Sequence, residues 1–142
     1  LPVLARLAGG SAGKALTWFR LDALKLRENI LDLLEQAGRE DILVYADSLP
    51  WMLKNDRQES LVLMELLLLL LRDGLILESG LPQVLYNEDL RQRLGLCFAG
   101  WSEKMLRQAL ELEEKCRRAL ASFVTRRMAV EALALELHGM LE

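Results

Sequence analysis

Apolar residues recur at spacings of three and four along most of this chain, with charged residues between them, which is the signature of helices with one buried face. Leu4, Leu7 and Ala8 open a short helical stretch that Gly9 and Gly10 break. Ser11 is placed to cap a second helical stretch over 11–36, with a bend near 20–22 and a stop at Ala37 and Gly38. Within it Leu24, Ile30, Leu31 and Leu34 make a stripe, with Lys25, Arg27, Glu28 and Glu35 outside it. A third helix is predicted over 40–51, disrupted at its end by Pro50, with Trp51 and Met52 folding back onto the core.

Asp56 followed by Glu59 reads as a capping box that starts a central helix running to about Glu78, ended by Ser79, Gly80 and Pro82. Its segment 61–71 is apolar nearly all round and is expected to be the most buried part of the chain. Gly74 inside it costs about 1 kcal/mol relative to Ala, and close packing of a neighbour would explain it. Asn87 is expected to cap a shorter helix carrying Leu90, Leu94, Cys97 and Phe98, closed by Gly100. Ser102 then caps a long amphipathic helix to about Val124. Leu106, Ala109, Leu112, Cys116, Ala119 and Phe123 lie on one side of it, and Arg107, Glu111, Glu114, Lys115 and Arg118 on another. Thr125 caps a last helix with Ala129, Leu133, Leu137 and Met140 on one face. No strand and no internal repeat is visible, so the fold class is all-α, a bundle of six to seven helices.

Composition strengthens this picture. About a quarter of the 142 residues are leucine, the hydrophobic fraction is 52%, and only three prolines occur. The apolar run near 66–71 is broken by Glu65 and ends at Arg72 and Asp73, well short of the ~20 residues a membrane span needs. A net charge of −3 with mixed signs and no basic tract gives no electrostatic case for direct DNA binding. Cys97 and Cys116 fall in helical patterns and read as reduced core thiols of a cytoplasmic protein. The chain begins at Leu1 without an initiator Met or signal peptide, and is expected to be a piece of a longer protein.

Candidate chemistry is sparse. His138 is the only histidine, expected to be partly exposed, and it cannot form a metal site alone. Glu111, Glu113 and Glu114 alternate with bases and read as a solvated face. Gly13 and Lys14 look like half of a phosphate-binding loop. Ala8 stands where the first glycine belongs, however, Ala15 where Ser or Thr belongs, and a helix precedes them instead of a strand. No catalytic residue, metal or cofactor is expected within this chain.

Four segments carry a family resemblance. The run Gly10-Ser11-Ala12-Gly13-Lys14-Ala15-Leu16 resembles the start of the sensor 2 helix in the lid of clamp-loader AAA+ proteins, with Lys14 where Arg is usual. Leu66-Leu67-Leu68-Leu69-Leu70-Leu71-Arg72-Asp73 is similar to "WLRDLLLL" in the collar of the bacterial DNA polymerase III delta-prime subunits. Leu85-Tyr86-Asn87-Glu88-Asp89-Leu90 is similar to their "LLNPDL", and Phe123-Val124-Thr125-Arg126-Arg127-Met128-Ala129-Val130-Glu131 to "NVNPRLALE". Phe123 and Thr125 depart from two asparagines there, and Arg126 from a proline.

The resemblance implies that 1–20 end an AAA+ lid domain and 21–142 form a helical collar for oligomerisation. It implies a non-catalytic part of a subunit that assembles with gamma/tau and delta subunits, and through them acts on the sliding clamp and primed DNA in replication. Lys14 would then be a nucleotide-positioning residue. On the expectation that the last two helices carry the subunit contacts, Arg118, Leu133 and Leu137 are the candidate interface residues. The related gamma/tau collar, and an autonomous helical adaptor module, are the alternative readings; a helical hydrolase using carboxylates is a weaker third.

Overall fold

Helix starts in this chain are set by side chains that accept a first-turn N–H. In the computed structural model, which describes residues 2–37, 56–122 and 126–141, Ser11 Oγ accepts from the Lys14 amide at 3.2 Å. Asp56 Oδ1 accepts from Glu59 at 2.8 Å, and Ser102 Oγ from Met105 at 3.1 Å. Stops are equally local. Gly9, Gly10 and Gly80 take positive φ where the helices before them end. Asp22, at φ 52°, turns the chain at the expected bend.

The result is seven α-helices and one 3₁₀ turn among the described residues, with no strand: α1 Pro2–Leu7, α2 Ala12–Arg20, α3 Ala23–Ala37, α4 Arg57–Ser79, the 3₁₀ turn Glu88–Leu90, α5 Arg91–Cys97, α6 Glu103–Leu120 and α7 Arg126–Leu141. The chain is therefore all-α, as its periodicity indicates. The helix expected over 40–51, with Pro50, Trp51 and Met52, and the cap expected at Thr125 lie outside the described residues, as does Phe123.

The central helix is α4. It packs against α3, α5, α6 and α7, and Leu63, Met64, Leu67, Leu70 and Leu71 are fully buried along it. Each such leucine contributes about 1.5–3 kcal/mol. Burial is not complete around its circumference: Glu65, Leu68 and Leu69 are half-buried.

Gly74 is where α4 meets its neighbours most closely. A Cβ there would stand 2.8 Å from Leu106 Cδ2 and 3.1 Å from Phe98 Cδ2. Overpacking of this kind costs about 1–3 kcal/mol, against the ~1 kcal/mol that alanine gains in a helix. Gly74→Ala is therefore expected to lower the denaturation midpoint by an amount equivalent to about 1 kcal/mol. A higher midpoint would show that Leu106 and Phe98 give way without cost.

Five expectations need correction. Arg27, expected outside the stripe of α3, is buried, because its guanidinium turns in to bond Asn87 and Asp89. Asn87 caps no helix. Its side chain turns inward, donating to Asp73 Oδ2 at 2.7 Å and accepting from Arg27 Nη1 at 3.1 Å, and a 3₁₀ turn stands between it and α5. Those partners are buried polar groups that need satisfying, which outweighs a surface cap. The long helix α6 ends at Leu120 rather than near 124. Arg57 of α4 donates to the Leu120 carbonyl, and Ser122 Oγ donates to the Ala119 carbonyl at 2.8 Å, so the last turn's carbonyls are taken. Glu113 is not on a solvated face but fully buried, as α6 turns it toward the core with Cys116 and Leu120. His138 is buried too, because it follows Leu137 on the inward side of α7.

Candidate subunit interface

The apolar stripe of α6 is wider than the core can absorb. Leu106, Ala109, Cys116 and Leu120 are buried, whereas Leu112 and Ala119 on its shoulder are half-buried. The same division runs along α7, where Ala129, Val130, Leu133, Ala134 and Leu137 are buried, but Met128 is 65% exposed and Ala132 is exposed. Met128 and Ala132 are four residues apart and share a face.

Between the two shoulders lies a groove. One cavity of about 210 Å³ is lined by Leu112, Lys115, Cys116, Ala119, Met128, Ala129, Ala132, Leu133 and Glu136. A second, of about 600 Å³, shares Leu112, Lys115 and Glu136 with it and adds Gln108, Glu111 and Met140. Lys115 Nζ and Glu136 Oε1 face each other at 3.5 Å where the two meet.

The rim is charged and self-paired. Arg118 bonds Glu114 at 2.7 Å and Arg107 bonds Glu103 at 2.8 Å, both on consecutive turns of α6. Exposed pairs of this geometry contribute only ~0.3–0.5 kcal/mol, so they tune a contact rather than hold the fold. Beneath them the chemistry is quiet. Burial pushes the Cys116 thiol up to about 12, with Glu113 adding to it, so it stays protonated and unreactive. Burial also raises the Glu113 carboxyl, although Arg117 Nε donates to it at 3.0 Å. Cys97 and Cys116 are both buried thiols.

The sequence-predicted residues separate. Arg118 stands on the rim, its side chain 78% exposed. Leu133 and Leu137 are 2% and 0% exposed and belong to the interior of the bundle; Leu133 reaches the groove only as part of its floor. Lys14 is not on this helix pair. Its ammonium bonds Glu65 of α4 at 2.6 Å and lies 5.1 Å from the centre of the Trp18 ring. Met128 and Ala132 went unnoticed in the sequence, though their offset of one position from the stripe 129–133–137 was a visible sign. Other exposed apolar side chains are Leu81, Val84 and Tyr86 in the link after α4, Leu16 and Phe19 on α2, and Leu96 on α5.

Among the described residues no group of three or more His, Cys, Asp or Glu could hold a metal ion, and no helix is long and apolar enough to cross a membrane. Fold and groove together define a helical bundle with one helix pair open along its outer side. The family of the DNA polymerase III delta subunit, C-terminal part, matches over residues 21–139, and the chain belongs to that family. No curated protein and no solved structure matched.

Proposed function

We infer that this chain is the assembly part of a clamp-loader subunit of the delta-prime class, and that the α6–α7 groove packs against a neighbouring subunit. The family match over 21–139 carries the reading at the level of a DNA polymerase III subunit. The delta-prime assignment is supported by the order of the segments around Arg72, Asn87 and Arg127. On this reading the partners are gamma/tau and delta subunits, reached in the cytoplasm, and the sliding clamp and primed DNA are contacted through them. The bundle itself performs no chemistry.

The division into a lid end over 1–20 and a collar over 21–142 is part of the same proposal. It is supported by the family match starting at residue 21, beside the turn at Asp22.

Reconstitution tests the class. The longer protein carrying this chain should restore a loader that lacks delta-prime; restoring only one that lacks delta or gamma/tau would overturn the assignment. Arg118→Glu tests the face. It breaks the Glu114 pair and reverses a rim charge, so binding of the other subunits should weaken about two- to fivefold with the helical circular-dichroism signal unchanged. Unaltered binding at several salt concentrations would remove Arg118 from the interface.

A further inference from the structure

We propose that Lys14 is a positioning residue that clasps the N-terminal hairpin to the bundle, its ammonium shared between Glu65 and the face of Trp18.

The hairpin of α1 and α2 docks by burying Leu4, Leu7 and Trp18 in the same core cluster as α3 and α4. These are non-directional contacts. They hold the hairpin down but do not fix its angle over the long axis of α4. The covalent joint does not fix it either, because α2 and α3 are linked through two residues, Leu21 and Asp22, the second at φ 52°. A non-glycine residue in that region is a turn held by its surroundings.

Lys14 supplies the missing direction. Ser11 starts α2 and so sets Lys14 in its first turn and Trp18 one turn later on the same face. Trp18 is buried and presents its ring 5.1 Å below the ammonium, within cation–π range. Glu65, the one carboxylate in the run 60–71 of α4, then bonds the ammonium at 2.6 Å. Glu65 sits at the half-exposed edge of this apolar helix, its side chain 40% accessible, where it can reach the ammonium without being desolvated. The clasp assigns Lys14 a partner within the chain, and it needs no assumption about what the bundle binds.

Amide hydrogen exchange on the whole chain tests it, using Lys14→Gln, Glu65→Gln, the two combined, and Lys14→Arg. Each neutral variant should speed exchange over 12–20 about two- to fivefold, as expected for a half-exposed ion pair, while 103–120 stays unchanged as an internal control of folding. The double variant should exchange no faster than Lys14→Gln, because that change alone already removes both contacts of the ammonium. Lys14→Arg should match the parent chain, since a guanidinium can also bond Glu65 and lie on Trp18. Additive effects of the two neutral changes, or unchanged exchange over 12–20 in both, would overturn the clasp.

Discussion

Asp73→Ala is expected to destabilise the bundle by about 3–5 kcal/mol, the largest loss from any single change considered. The carboxylate of Asp73 is fully buried on α4 and accepts three bonds: from the Tyr86 amide at 2.7 Å, the Asn87 amide at 2.8 Å and Asn87 Nδ2 at 2.7 Å. Asn87 in turn accepts from Arg27 of α3, whose guanidinium grips Asp89 at 2.7 and 3.1 Å. One side chain thus holds the link after α4 against two helices. Removing it leaves three donors facing a void, and domains of this size are stable by only about 5–15 kcal/mol.

The effect should depend on pH. Burial raises the Asp73 carboxyl above its ordinary 3.8 despite the three donors, so the folded state holds its proton more tightly than the unfolded chain. Its contribution is therefore fully present below pH 3.8 and falls as pH rises through the raised folded value. The difference between parent and Asp73→Ala should be greatest in acid and smaller at neutral pH. Urea denaturation at both pH values measures it. A difference that grew with pH would mean that the donors, not burial, dominate the site.

The second large effect is on assembly. Met128→Glu combined with Ala132→Glu places two carboxylates over an apolar groove, next to Glu136 and above Leu112 and Cys116. Both parent side chains are exposed, so the isolated chain should keep its denaturation midpoint within about 0.5 kcal/mol. Binding to the other loader subunits should fall at least tenfold, because a charge buried without a partner at an interface costs several kcal/mol. A titration followed by fluorescence anisotropy would read it. Unchanged affinity with intact folding would show that the groove stays open in the complex.

The helices were legible because their determinants are local. Ser11, Asp56 and Ser102 cap as their positions suggest, and Gly80 stops α4. What escaped depends on residues far apart in the chain. Asn87 looks like a cap until Asp73 and Arg27, 14 and 60 positions away, are brought beside it. Glu113 looks solvated because it stands with Glu111 and Glu114 among bases, yet the helix turns it inward, with Arg117 bonded to it. The ion pair of Lys14 was not legible in the sequence because its partner, Glu65, lies 51 positions away on another helix.

The candidate groove was legible only in part. Alternating charges on α6 and the stripe on α7 mark two amphipathic helices, but which apolar residues the core consumes depends on how they dock. Leu133 and Leu137 were taken up by the interior, leaving Met128, Ala132 and Leu112 at the groove.

That the α6–α7 groove carries subunit assembly is tested most directly by comparing amide hydrogen exchange in the free protein and in the reconstituted loader. Slowed exchange along 108–119 and 128–140 on assembly, with 81–86 unchanged, is the predicted result. Protection confined to the exposed link around Leu81, Val84 and Tyr86, with α6 and α7 exchanging as in the free protein, would contradict it.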